Sequence, residues 1–170
     1  MKKSRVAKTL QDSRARIGKS QEQLSIDTFQ SRESVSKQEN GKRRVQPGLT
    51  KRFIDNYNDP WIALEAANEY IGWGVTQLDG PAADNNPSSV KSVLEEVLNE
   101  ALESVLKVNF NTELAQSMQQ KDIRTSANKL VDVVHWSVVY LAIICETQNI
   151  NWRQIWEDHH SELQSQGYLT

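Results

Sequence analysis

An all-α protein in two parts is what this sequence predicts, and three observations carry the prediction. Apolar residues recur at three- and four-residue spacing through most of the chain, no stretch shows the two-residue alternation of a half-buried strand, and charge changes sign along the sequence. Residues 1–60 carry 14 Lys and Arg against 7 Asp and Glu, a net of +7; residues 61–170 carry 6 against 15, a net of −9, beneath an overall charge of −2. Between them Gly72, Gly74, Gly80, Pro81, Asn85, Asn86 and Pro87 interrupt any regular element, so residues 72–87 read as a linker. The expected organisation is a head over residues 1–71, that linker, and a helical C-terminal part over residues 88–170.

Five helices are expected in the head. The first runs from about Arg5 to Ile17, with Val6 and Leu10 inward and Gly18 ending it. Ser20 caps a second, with Gln23 placed to complete a capping box and Leu24 inward. After a single turn, Ser31 caps a third, which opens Arg32-Glu33-Ser34-Val35 and stops at Asn40-Gly41, where glycine accepts the left-handed conformation that closes a helix. Pro47 suits the first turn of a fourth helix carrying Leu49, Phe53 and Ile54, and Asp59-Pro60 supplies a cap and first-turn proline for a fifth, from Pro60 to Ile71. Trp73, beyond it, is expected as a packed anchor.

In the C-terminal part Val90, Val93, Leu94, Val97, Leu98, Ala101, Leu102, Val105 and Leu106 mark a long amphipathic helix. Neighbouring pairs advance by four residues, so the stripe drifts around the helix and suits more than one packing partner. A short helix is expected from about Asn111 to Gln120, then a long one from Asp122 to Thr147 whose second half is apolar nearly all round and belongs in the middle of a bundle. Asn151 caps a last helix with Trp152, Ile155, Trp156, His159 and Leu163 inward, closed by Gly167.

The stretch SQEQLSIDTFQSRESVSKQENGKR, Ser20 to Arg43, resembles the helix-turn-helix of the Cro/repressor (Xre) family. Ser20, Gln21, Glu22, Leu24, Ser31, Arg32, Ser36, Glu39, Asn40, Gly41, Lys42 and Arg43 match that family's pattern without a gap, and the likeness covers about the first 60 residues. It implies a lambda-repressor-like five-helix head and a sequence-specific, double-stranded DNA-binding transcription regulator, a repressor of phage or mobile-element type. Arg32, Glu33, Ser36 and Lys37 would then face base edges, while Gln21, Ser31, Asn40, Lys42, Arg43 and Arg44 would meet the phosphate backbone. The chain departs from the pattern at Phe29, which takes the place of the usual turn glycine, and at Thr28, Gln30 and Gln38, where apolar residues are usual. Phe29 implies either an altered turn or a ring plugging the gap left by Thr28 and Gln30.

Side-chain chemistry agrees with these roles. Arg32 can pair bidentately with guanine and Glu33 can accept from cytosine; alternatively Glu33 orients Lys37, four residues later on the same helix. Cations flank the proposed reading helix on both sides, from Lys2, Lys3, Arg5, Lys8, Arg14 and Arg16 to Lys42, Arg43, Arg44, Lys51 and Arg52, and neutralising phosphates releases counterions and supplies affinity. The acidic remainder repels a duplex and is left for assembly, the expected partner being a second copy of the chain bound through the C-terminal part. An alternative keeps the head but makes the protein an antitoxin or co-regulator whose C-terminal part grips another protein.

Catalysis is not expected. Glu95, Glu96, Glu100, Glu103 and Asp132 invite comparison with all-α nucleotide pyrophosphohydrolases, yet Asn99 stands at the third carboxylate position and a magnesium cage would lack ligands. His159 and His160, adjacent on a helix, point in different directions and suit no metal, and His135 in its apolar run reads as a core histidine. No cofactor is implied, and the single cysteine, Cys145, excludes an internal disulfide and reads as core. The apolar run Val138 to Cys145 falls short of the ~20 residues that span a bilayer, so no membrane role is expected and a cytoplasmic protein is.

Overall fold

The computed structural model describes residues 4–109 and 116–170, and the regular elements among those residues are all helices. The chain forms two compact units: one reaches from the N-terminus to Gln77 and includes Cys145–Thr170, and the other is Leu78–Ile144.

In the first unit α1 (Arg5–Arg16), α2 (Gln21–Asp27), α3 (Arg32–Glu39), α4 (Pro47–Tyr57) and α5 (Pro60–Ile71) follow in chain order. Local chemistry sets their ends. Ser4 Oγ accepts from the Ala7 N–H, Ser20 and Gln23 close a reciprocal capping box, Ser31 Oγ accepts from Ser34 N, and Asp59 accepts from Ile62 N. Gly41, at φ 69°, follows the Asn40 cap of α3, a conformation that costs a residue with a Cβ about 1–2 kcal/mol. Val6, Ala7, Leu10, Leu24, Val35, Val45, Leu49, Phe53, Ile62 and Ala66 form one core, each large aliphatic contributing ~1.5–3 kcal/mol by leaving water.

Two further segments are sewn to that core. Val75 is buried, and the fully buried carboxylate of Glu65 receives Arg5 through Nε and Nη2 at 3.1 Å each, the Gln77 N–H at 2.9 Å and the Thr76 hydroxyl. The expected linker thus begins as an ordered continuation of the first unit, and the apolar anchor is Val75, while Trp73 stays 43% exposed. The second segment is α8 (Trp152–Ser165) with the residues before it. Asn58, a left-handed cap at φ 51°, donates to Ile150 O at 2.9 Å and accepts from Trp152 N at 2.7 Å. Glu146 accepts from Trp61 Nε1 at 3.0 Å and pairs with Arg16, and Arg153 pairs with Asp55 at 2.8 Å. These polar links group the last helix with the first unit instead of with residues 88–144. Of its expected inward residues only Trp152 is buried; Trp156 and His159 lie exposed.

The second unit is built on α6 (Pro87–Lys107) and α7 (Gln116–Thr147), whose last turn already belongs to the first unit. Glu100 pairs with Lys129 at 2.5 Å, and Glu103, Ser104 and Lys107 of α6 border one cleft with Asp122 and Thr125 of α7, so the two helices run antiparallel. Of the short helix expected over 111–120, residues 111–115 lie outside the described residues; from Gln116 the chain is already in α7. Val138, Val139, Ala142, Ile143 and Cys145 are buried, as a helix apolar on all sides requires, but Leu130, Val131 and Val134 one to four turns earlier are exposed. By length and composition alone Gln119–Thr147 is apolar enough to cross a bilayer, containing an 18-residue window of mean hydropathy 1.6, a longer apolar window than the run Val138 to Cys145 suggests.

Candidate nucleic-acid interface

The arrangement of α2 and α3 is fixed from below by a buried charge. Glu39, at the end of α3, is fully buried and takes Arg14 Nε at 2.5 Å, Arg14 Nη2 at 3.1 Å and Gln21 Nε2 at 2.7 Å. One carboxylate therefore joins α1, the start of α2 and the end of α3. With both oxygens satisfied, the pair holds the three helices in one register; removing one partner strands a charge away from water.

A second polar cluster replaces expected apolar packing. Gln38 is fully buried: its Nε2 donates to Gln30 Oε1 at 2.7 Å and to Ser34 Oγ at 3.1 Å, and its Oε1 accepts from Gln46 N at 2.8 Å. Thr28, also buried, turns its hydroxyl back to Leu24 O at 2.7 Å. Paired in this way, the buried donors of Thr28 and Gln38 are satisfied, with Gln30 Oε1 accepting from Gln38 and from Ser34.

Phe29 fills no gap. Its backbone holds the left-handed conformation at φ 54° that a glycine would take without strain, and its ring lies outside at 82% exposure. The Arg52 guanidinium sits 5.0 Å from the ring centroid and donates to Thr28 O at 2.6 Å, closing the C-terminal end of α2. Nearby, Asp27 accepts from the Tyr57 hydroxyl and pairs with Lys19 at 3.3 Å. That hydrogen bond, followed by Lys19, holds the Asp27 carboxyl below the usual carboxylate range, and burial together with Asp27 pushes the Tyr57 phenol up to about 12.

With Val35, Gln38 and Glu39 inward, α3 turns Arg32, Glu33 and Lys37 outward, and Ser36 sits half-buried between them. Lys37 Nζ is 2.6 Å from Glu33 Oε1, and this bond lowers the Glu33 pKa; Arg32 leans toward Glu22 at 3.9 Å. Asn40 is exposed and donates to Ser36 Oγ at 3.3 Å, and Arg43 reaches Ser34 Oγ at 3.5 Å. Lys42 is exposed beside it. Ser31 lies exposed at the start of α3, its Oγ engaged in the cap. Two expected backbone contacts are committed elsewhere: Gln21 holds Glu39, and Arg44 donates to Glu69 at 3.3 Å and lies over the Tyr70 ring at 5.4 Å. Arg5, Arg14, Arg16 and Arg52 are likewise held by internal acceptors.

Sequence reading counted those cations as available to phosphate and missed Arg14, Glu39 and Arg52 as the residues that position the outward face. The only local hint was glutamine at 30 and 38, eight residues apart, which on a turn followed by a helix can meet. A cleft of about 350 Å³ opens beside this basic loop, lined by Arg43, Arg44, Val45, Gln46, Pro47 and Tyr70. Among the described residues no group of three or more His, Cys, Asp or Glu is placed to hold a metal ion. Cys145 is buried, which pushes its thiol pKa up, and burial lowers that of His135. Set beside models of protein families, curated proteins and solved structures, the chain matches none of them.

Proposed function

We propose that this chain is a sequence-specific, double-stranded DNA-binding transcription regulator of the phage or mobile-element repressor type, with a lambda-repressor-like head and a C-terminal part that pairs two copies. One observation carries the reading: α3 buries Val35, Gln38 and Glu39 and presents Arg32, Glu33 and Lys37 to solvent, on a helix whose start and end are both fixed. A short helix braced from behind, with polar side chains able to read base edges and exposed Lys42 and Arg43 just beyond its end, has the composition of a major-groove reader. Base contact falls to Arg32 and to Lys37, with Glu33 positioning Lys37 through their ion pair. Phosphate contact falls to Lys42 and Arg43. Arg44 and Gln21 act indirectly, by holding the loop and the helix start.

The test is selection of duplexes from a random library by the full-length chain. Enrichment of a two-fold related motif supports the proposal; a pool indistinguishable from the starting library after repeated rounds contradicts it.

A further inference from the structure

Over Leu98–Leu106 of α6 and Ile123–Val134 of α7 the antiparallel pair is inside-out, whereas Val90 of α6 and Val138, Val139 and Ile143 of α7 are buried. On α6 the buried positions include Ala101 and Ser104, while Leu98, Leu102 and Leu106 are exposed, Leu102 at 58% and Leu106 at 75%. On α7 Ser126 is buried, while Ile123, Leu130, Val131 and Val134 are exposed, Val131 at 66%. A helix in water buries its large apolar side chains and shows its small polar ones. Along this stretch the cleft between the helices is polar, with Glu100 paired to Lys129, and Leu102, Leu106, Leu130 and Val131 stay exposed. Both exposed stripes run at alternating four- and three-residue spacing, Leu98-Leu102-Val105 and Ile123-Ala127-Leu130-Val134, the spacing of a seam that another helix covers.

Charge identifies the occupant. With Glu100 and Lys129 already paired to each other, α6 still carries Glu95, Glu96 and Glu103 against Lys91 and Lys107, whereas the first half of α7 carries Lys121 and Arg124 against Asp122. A two-fold axis that lays α6 on the α7 of a second copy matches acid with base twice over, once on each side of the axis. The same acids count against a bilayer, where each carboxylate at depth costs several kcal/mol and an anionic surface repels it.

We propose that the exposed faces of α6 and α7 are a homodimer interface in which α6 of one copy packs on α7 of the other, completing a four-helix bundle. The inference deepens the assembly role proposed above, and its test uses no DNA. In sedimentation equilibrium of the full chain at micromolar concentration, the wild type runs at twice the 19.4 kDa chain mass. Leu102→Glu and Val131→Glu each raise the dissociation constant about thirtyfold or more, as expected for a carboxylate forced into an interface centre. Both retain wild-type helicity, because each side chain is exposed in the single chain. The pair Lys121→Glu with Arg124→Glu runs as a monomer, as does the pair Glu95→Lys with Glu96→Lys, and mixing the two doubly substituted proteins restores the dimer mass.

A wild type that stays monomeric, a dimer indifferent to Leu102→Glu and Val131→Glu, or reversed variants that do not recover on mixing overturns the proposal. So does a monomer that floats with phosphatidylcholine vesicles, which assigns the faces to lipid. A dimer that ignores every duplex leaves this interface standing and removes the DNA-reading proposal; a monomer that prefers one duplex does the reverse.

Discussion

The α2–α3 pair and the α6–α7 pair solve the same problem in opposite ways. In the first, every inward polar group has a partner within the unit: Glu39 has Arg14 and Gln21, Gln38 has Gln30, Ser34 and Gln46, and the charged residues that remain face out. In the second, over Leu98–Leu106 and Ile123–Val134, Ser104 and Ser126 are buried beside an ion pair while Leu98, Leu102, Leu106 and Leu130 are exposed. The difference teaches where each surface is finished. A pair whose burial is complete leaves its outward side chains free for the recognition proposed above; a pair that displays an apolar face leaves room for the second copy proposed above.

The largest way to break this comparison is Glu39→Ala. It leaves the mostly buried Arg14 guanidinium without its counter-charge, and the expected loss is ~3–5 kcal/mol in urea unfolding of the first unit. A loss under about 1 kcal/mol, the range of a surface pair, shows that the carboxylate is not the brace described.

Gln38→Leu comes next and sharpens the point, since leucine restores the apolar residue expected at this position. Because it orphans the Gln46 N–H and leaves Gln30 Oε1 with the Ser34 hydroxyl as its remaining donor, destabilisation of about 1–3 kcal/mol is expected. A neutral or stabilising outcome indicates that the polar cluster is incidental and apolar packing serves as well.

Arg32→Ala moves from stability to recognition. Its side chain is exposed, so the unfolding midpoint stays put while specific binding falls by ~1–3 kcal/mol and base preference relaxes. Lys42→Ala, in contrast, weakens all duplexes alike and lowers the salt slope by about one. Equal losses on specific and random DNA for Arg32→Ala place that residue on the backbone.

The smallest effect is a pH dependence. The Tyr57 phenol, raised to about 12 from 10.0, contributes stability that is complete below pH 10 and fades as pH climbs toward 12. Asp27, lowered below 3.8, contributes stability that is complete above that pH and fades as the carboxylate is protonated in acid. Tyr57→Phe removes their shared hydrogen bond, so melting curves across pH should lose part of both limbs together. An unchanged acid limb assigns the Asp27 shift to Lys19 instead.

Helix ends were legible in the sequence because they are set by neighbours in the chain. Ser20 with Gln23, Ser31, Pro47, Asp59-Pro60 and Asn151 all sit where their chemistry placed them. What lay hidden depends on pairs distant in sequence: Glu39 with Arg14, Gln38 with Gln46 across a loop, Asn58 with Ile150 and Trp152. Counting cations gave the sign of the head but not their internal partners, since the mostly buried Arg14 and the exposed Arg16 both pair with internal acids. Periodicity likewise found the stripes of α6 and α7 without revealing that their small residues face inward. Hydrophobic spacing marks that a face is apolar, and only packing tells which face is already covered.

The proposed reading of a duplex groove by α3 from Arg32 onward is tested by titrating the full chain with a selected duplex and a scrambled one over a range of salt. Tighter binding of the selected duplex is expected at every salt, with affinity for both falling as salt rises and Arg32→Ala closing the gap between them. Equal affinity of the wild type for both duplexes, or binding that salt does not touch, contradicts it.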